Sequence, residues 1–143
     1  MSSFGNSYQQ KEQNNLRIPN SQVVLVYTEW NADIVSQLRE GALRVLSQIS
    51  QITTLDLQVP GAVEIPFAIA THYRAHKASA YIALGCVIKG DTPHFEYVCQ
   101  SVVQGITHLN VTQESPVIFG ILTVLTKEQA YERLGGAHGH KGE

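Results

Sequence analysis

The sequence is poor in the features that mark several large classes of protein. Only two of its 143 residues are cysteines, Cys86 and Cys99, and they lack the spacing of metal ligands. No apolar run approaches the ~18 residues that a membrane-spanning helix needs. Charged residues make up 15% of the chain and the formal net charge is −2. The chain therefore has no excess of positive charge that would indicate nucleic acid or an anionic membrane as a partner. These features indicate a cytoplasmic globular protein with reduced thiols.

The first 20 residues are rich in glutamine, asparagine and serine and contain no apolar segment of the kind found in signal peptides. We expect residues 1–20 to form a flexible N-terminal tail. The remainder is long enough for one domain with a sizeable buried core. The sequence therefore predicts a single folded domain over residues 21–143.

Short apolar runs alternate with amphipathic segments along this domain. Four runs have the composition of strands: Val23–Tyr27, Ile52–Val59, Tyr81–Ile88 and Pro116–Leu122. Apolar residues at spacings of three and four predict helices over about 31–50, from Pro66 to about 76, from the Pro93 turn onward, and over 126–134. Such alternation is typical of right-handed βαβ units. The predicted fold class is α/β, a flavodoxin-like three-layer αβα sandwich with a four-stranded parallel sheet and helices on both faces.

Unusual residues follow the predicted strands. They lie at Thr28–Asn31 after the first, at Pro60–Glu64 after the second, at Lys89–His94 after the third, and at Phe119, Gly120 and Thr123 on or just after the fourth. In an open parallel sheet, ligand crevices form outside the carboxyl ends of the strands. We therefore expect four segments to converge on one rim.

The segment Lys89–His94 has the features of an anion-binding helix start. Thr92 precedes a proline and is expected to be the N-cap, with Pro93 at the first helical position. Gly90 permits a tight turn or a close approach to a ligand. The N-terminus of the helix would offer N–H groups and a partial positive charge to an anion. His94 lies beside it, where an imidazole could transfer protons near neutral pH.

Each of these features also has a simpler structural explanation. A Thr-Pro helix start is often only a cap, and a first-turn histidine is often only a solvated surface residue. Asp91 would repel an anion unless its carboxylate points away. Trp30 could pack a helix start, and Glu64 could be a first-turn charge favoured by the helix dipole. The convergence of all of them on one rim is what favours a functional site.

Three stretches closely resemble the lumazine synthase family of riboflavin biosynthesis: VPGAVEIP at 59–66, GCVIKGDTPHFEYV at 85–98 and FGILTVLTKEQAYERLG at 119–135. The resemblance extends from about Val23 to Lys141. It implies a transferase that condenses 5-amino-6-(D-ribitylamino)uracil with 3,4-dihydroxy-2-butanone 4-phosphate to 6,7-dimethyl-8-ribityllumazine, with no cofactor and no metal.

The resemblance also implies a role for each matching residue. His94 would be the proton-transfer residue, Trp30 would stack on the uracil ring, and Phe119 would be supplied to the site by a neighbouring subunit. Further contacts to the ribitylaminouracil would come from Ala62, Val63, Glu64, Cys86, Val87 and Ile88. The butanone phosphate would be held by Asp91, Thr92 and Arg133, with Lys141 as an accessory basic residue.

The family resemblance further implies a homo-oligomer with sites between subunits, either a pentamer or a 60-subunit icosahedral shell, with riboflavin synthase as a partner. The sequence departs from the family at two places. Val63 stands where a large aromatic is usual, so less area would cover the ribityl chain. The chain ends at Glu143, where family members continue into a further helix, so we expect either a shortened chain or a protein that lacks this helix.

Three other functions fit the same fold. A non-catalytic riboflavin- or lumazine-binding protein, or a shell-forming protein with vestigial sites, would be expected to lose His94, Arg133 or the Asp91-Thr92 turn, and all are present. A flavodoxin-like FMN carrier would be expected to have its phosphate loop after the first strand, whereas the phosphate-type turn here follows the third.

Overall fold

Four parallel strands form one sheet in the order β2-β1-β3-β4. They are β1 (Ser21–Thr28), β2 (Ile52–Val59), β3 (Ala80–Ile88) and β4 (Val117–Val124). This computed structural model describes residues 20–143, so the predicted tail over residues 1–20 lies, but for its last residue, outside the described residues. The sheet confirms the predicted α/β class, and it makes β2 and β4 the two edge strands.

Four helices cover the two faces of the sheet: α1 (Ala32–Leu46), α2 (Ile65–His76), α3 (His94–Thr112) and α4 (Lys127–Tyr131). Successive strand residues point to opposite faces, and each face carries its own core. Under α2 and α3 the buried side chains include Val24, Val26, Ile65, Ile69, Tyr81, Val102, Ile106 and Ile121. Under α1 and α4 they include Leu25, Ile34, Val35, Leu38, Leu84, Leu122 and Ala130. The helices on both faces confirm the predicted three-layer sandwich.

These two cores account for much of the stability. Leu25 and Leu38 are fully buried on the same face, and burying one leucine side chain contributes about 1.5–3 kcal/mol. Among residues 20–143, no helix combines the length and the hydropathy needed to cross a membrane.

Two predicted helices extend too far. The first ends at Leu46, and residues 47–50 form turns. The prediction of a helix over 126–134 is wrong beyond Tyr131. Gly135 (φ +109°) and Gly139 (φ +72°) adopt the left-handed conformation that glycine tolerates. The chain there forms an antiparallel hairpin of β5 (Leu134–Gly136) and β6 (Gly139–His140).

A polar cluster lies under α2, where β3 begins. The Tyr81 hydroxyl lies 2.8 Å from Nδ1 of His72 and accepts a hydrogen bond from the Ala78 N–H at 3.4 Å. The hydroxyl can donate its hydrogen to an unprotonated Nδ1, an arrangement that is available to the neutral imidazole. Burial, and then the nearby His76, lower the pKa of His72 below its ordinary value of 6.5. The fold thus favours the neutral imidazole.

We expect this cluster to make the protein less stable in mild acid. Below pH 6.5 the unfolded chain binds a proton at His72 that the folded chain does not, so the free energy of unfolding falls as the pH drops from about 6.5 toward the lowered folded pKa. Urea unfolding between pH about 7.5 and about 5 measures the slope. His72→Gln should flatten it, whereas the control His108→Gln, at an exposed position on α3, should not. Equal slopes for the two variants would contradict this account.

Candidate active site

The loops that follow β1 and β2 are joined by backbone hydrogen bonds. The N–H of Glu29 donates to the Val59 carbonyl at 2.8 Å, and that of Trp30 donates to the Pro60 carbonyl at 3.2 Å. The Trp30 side chain stays 74% exposed. A large flat aromatic side chain that is held by its backbone but left uncovered can stack on a planar ligand at little entropic cost.

Asn31 connects these loops to the end of β3. Its backbone is left-handed (φ 57°), a conformation that asparagine adopts more readily than most residues. Its side-chain amide donates to the Cys86 carbonyl at 2.8 Å. The sequence placed Asn31 in the unusual segment after the first strand but gave it no role, although an asparagine between a strand and a helix is a recognisable turn signal. The bond also occupies one of the carbonyls that the sequence suggested for pyrimidine recognition.

Strand β3 extends beyond its neighbour β1. The last pair between them is Tyr27 with Leu84, whereas β3 continues to pair with β4 as far as Ile88 and Val124. The segment 85–88 therefore has no strand partner on its β1 side. A fixed backbone edge of this kind suits recognition of a heterocycle, because its polar groups cannot rotate away.

The thiol of Cys86 takes no part in nucleophilic chemistry. Its side chain is buried, and burial, with a smaller contribution from the charge of Asp33, raises its pKa to about 11. A thiol with such a pKa is almost entirely protonated near neutral pH and is therefore inert. The candidate role of Cys86 is restricted to its backbone.

The segment after β2 forms a 3₁₀ turn over Ala62–Glu64. Ala62 is buried, and Val63 is exposed. A carboxylate oxygen of Glu64 accepts a hydrogen bond from the Gly61 N–H at 2.9 Å, which caps the start of the turn. The simpler explanation of Glu64 as a structural charge is thus supported, but a carboxylate has a second oxygen with which to accept from a ligand hydroxyl.

The turn after β3 leads into His94, the candidate proton-transfer residue. Helix α3 begins at His94 with Pro93 as its N-cap, one residue later than predicted. The Thr92 hydroxyl still accepts from the His94 N–H, at 3.4 Å. Asp91, Thr92 and His94 are all exposed. The imidazole therefore stands in solvent at the start of a 19-residue helix, where a ligand can reach it.

A separate cavity of about 300 Å³ lies along the edge strand β4. It is lined by Phe119, Gly120, Ile121, Leu122, Thr123, Val124, Arg133 and Lys141. Two cationic side chains beside one aromatic side chain make it suited to an anion with an organic part. The sequence predicted Phe119, Arg133 and Lys141 as site residues, and the structure brings these three together.

Arg133 is held in place by α4. Its Nη1 donates to the Gln129 carbonyl at 2.7 Å. Gln129 is itself fixed at the helix start, since its N–H donates to the Thr126 hydroxyl at 3.3 Å and its side-chain oxygen accepts from the Leu125 N–H at 2.8 Å. The Lys141 N–H donates to the Arg133 carbonyl at 2.8 Å. The hairpin and α4 thus orient the two cations together.

The candidate residues divide into two groups within residues 20–143. The rim group lies at the end of β3 and in the segments that follow β1, β2 and β3, and it consists of Trp30, Ala62, Val63, Glu64, Cys86, Val87, Ile88, Asp91, Thr92 and His94. The edge group lines the β4 cavity and consists of Phe119, Arg133 and Lys141. No member of the rim group lines that cavity. In that part of the chain, no group of three or more His, Cys, Asp or Glu side chains is placed to hold a metal.

Comparison with known proteins identifies the family of the chain. The family model described as 6,7-dimethyl-8-ribityllumazine synthase matches residues 20–143. A protein of that name from Porphyromonas gingivalis is 48% identical over 120 residues, which are 82% of this chain and 74% of the relative. Its namesake from Bacteroides fragilis is 44% identical over 121 residues, 83% of this chain and 85% of the relative. The chain therefore belongs to the 6,7-dimethyl-8-ribityllumazine synthase family.

Proposed function

We propose that the protein condenses 5-amino-6-(D-ribitylamino)uracil with 3,4-dihydroxy-2-butanone 4-phosphate to 6,7-dimethyl-8-ribityllumazine, the penultimate step of riboflavin biosynthesis. The family match over residues 20–143 carries this proposal. The rim and edge groups add to it, because one suits a flat heterocycle with a polar edge and the other suits a phosphate.

The rim group is proposed to bind the ribitylaminouracil. Trp30 would stack on the pyrimidine, and the unpaired side of β3 at 86–88 would contact its polar edge. The turn Ala62–Glu64 would lie along the ribityl chain. The second carboxylate oxygen of Glu64 would accept hydrogen bonds from the hydroxyl groups of that chain.

The phosphate of the second substrate is proposed to meet the Asp91-Thr92 turn and the cations of the edge group. Arginine matches phosphate oxygens with paired donors, and lysine adds a mobile positive charge. Because the Arg133 side chain is held by α4 and the Lys141 backbone is bonded to Arg133, the arginine is oriented and the lysine is held close to it before the substrate arrives.

The reaction consists of proton transfers between reactive partners. The 5-amino nitrogen attacks the ketone carbon, and loss of water leaves an imine. A proton leaves the adjacent carbon as phosphate departs, and the resulting enol becomes a ketone. The ribitylamino nitrogen then attacks that ketone, and loss of a second water closes the ring. These steps involve no net oxidation or reduction. His94 is the group proposed to move the protons.

We further propose that a complete site forms between two copies of the chain. The rim group of one copy would face the edge group of the next copy. This would explain why the two groups lie apart within a single chain. Half-exposed apolar side chains on the edge strand, Ile118 and Phe119, suit a subunit contact. Head-to-tail contacts of this kind close into rings, so a pentamer or a 60-subunit shell is the expected assembly, and its mass in solution is the measurement.

The cellular setting is part of the same proposal. Cys86 and Cys99 are both free, as is usual in a reducing cytoplasm. Riboflavin synthase is the expected partner because it would consume the lumazine product.

The test is an optical assay of lumazine formation. Purified protein is mixed with both substrates and compared with a protein-free control. We expect acceleration that saturates with each substrate. Binding of a uracil analogue without acceleration would instead support a non-catalytic riboflavin- or lumazine-binding protein on the same scaffold.

A further inference from the structure

The last residues of the chain lie against a notch in α1. Gly41 is buried in the middle of that helix, where glycine is ordinarily unfavourable. The imidazole of His140 fills the space that a side chain at this position would need. A Cβ atom added to Gly41 would lie 2.6 Å from His140 Nδ1 and 3.2 Å from the Gly142 carbonyl carbon. The glycine is therefore required by the approach of the hairpin.

Three further contacts hold the same segment. Gly142 lies so close to α1 that a Cβ atom there would be 2.8 Å from the carbonyl carbon of Leu38. Its N–H donates to His140 Nδ1 at 3.2 Å. Beyond it, the Glu143 carboxylate accepts from Arg44 at 2.7 Å. Residues on both sides of Lys141 are thus packed on α1.

We propose that Gly41 is a positioning residue, which seats His140 on α1 and thereby places Lys141 at the anion-binding cavity. The chain of contacts is continuous. His140 occupies the Gly41 notch, and Lys141 follows it, bonded through its N–H to the Arg133 carbonyl at 2.8 Å. Lys141 and Arg133 both line the cavity. The inference rests on the proposed function for its kinetic consequence.

Gly41→Ala is the decisive substitution because its two effects oppose each other. In an unobstructed helix, alanine in place of glycine stabilises the fold. Here the methyl group would push His140 off the helix and displace Lys141. We expect KM for the butanone phosphate to rise by about tenfold, the effect of one weakened charge-assisted hydrogen bond. KM for the ribitylaminouracil should change by less than about twofold, since the rim group is untouched.

Two comparison variants separate positioning from general damage. His140→Ala removes the imidazole that occupies the notch but leaves α1 unchanged, so by itself it should raise KM for the butanone phosphate as Gly41→Ala does. Gly105→Ala introduces similar crowding on the other side of the sheet, where a Cβ atom would lie 2.6 Å from Pro66 Cγ. It should lower stability without raising KM for the butanone phosphate.

Two measurements that do not need turnover keep this inference separate from the proposed function. Hydrogen exchange of the Lys141 amide should accelerate in Gly41→Ala, and the affinity for inorganic phosphate should fall. If the wild-type protein makes no lumazine, the proposed function fails and these two results still decide the role of Gly41. A Gly41→Ala protein that is more heat-stable, with unchanged exchange at Lys141 and unchanged phosphate affinity, would overturn the inference.

Discussion

Replacing Arg133 by glutamine is expected to lower kcat/KM for the butanone phosphate by about 10²–10⁴-fold. Two charge-assisted hydrogen bonds to a phosphate are each worth about 1.5–3 kcal/mol, and each 1.4 kcal/mol corresponds to about a factor of ten. The loss should appear mainly in KM for this substrate. Arg133→Lys should fall between wild type and Arg133→Gln, because lysine keeps the charge but cannot form the paired contact.

A matched control is available on the opposite face of the sheet. Arg74 lies in the last turn of α2, with only a 3.4 Å hydrogen bond to the Thr71 hydroxyl. Arg74→Gln makes the same change of charge and should leave both KM values unchanged. An Arg133→Gln enzyme with wild-type affinity for the butanone phosphate would show that the β4 cavity is not the phosphate site.

Replacing His94 by alanine is expected to slow turnover by about 10²–10⁴-fold, the usual contribution of a general acid or base. It should not abolish turnover. Holding the two substrates in register can contribute roughly 7–11 kcal/mol, which exceeds the contribution of the imidazole. Since His94 is exposed in the first turn of α3, KM for either substrate should change little, and the effect should lie in kcat.

Added imidazole provides a second check on His94. If the side chain moves protons, free imidazole in solution should recover part of the rate of His94→Ala, but not that of Arg133→Gln. A complete loss of turnover with both substrates still bound would refute the ranking of positioning above proton transfer. A variant as fast as wild type would remove His94 from the mechanism.

Three strands of the sheet were predictable because they are short apolar runs with turn residues at both ends, and β2 was predictable from its alternation of apolar and polar residues. The run Tyr81–Ile88 lies in β3 (Ala80–Ile88), and β2 has the predicted bounds. A strand that is buried on both faces must be apolar at every position, which leaves a strong signal. The rim group was predictable from the turn residues that follow β1, β2 and β3, because the carboxyl ends of parallel strands lie at one edge of the sheet.

Other features depend on contacts that are distant along the chain. The predicted last helix overlooked Gly135, whose positive φ ends it near Tyr131. The amide of Asn31 reaches Cys86, 55 residues away. Gly41 looks like an ordinary helix defect until His140 is placed over it. Local periodicity contains no information on such pairs.

The separation of the rim and edge groups also could not be predicted from the sequence. The order of elements along the chain does not fix the order of strands in the sheet, and β4 becomes an edge strand only in the folded structure. Phe119, Arg133 and Lys141 therefore lie in a cavity of their own. The resemblance suggested a neighbouring subunit for Phe119 alone, and the structure extends that proposal to the two cations.

Subunit complementation tests most directly whether lumazine is formed at a site shared by two copies of the chain. His94→Ala and Arg133→Gln chains with different affinity tags are co-expressed, and assemblies that carry both tags are assayed. If one copy supplies His94 and the next supplies Arg133, about a quarter of the contacts in a randomly mixed ring are intact. The account predicts about a quarter of wild-type activity, far above either parent. Activity no greater than the average of the two parents would contradict it.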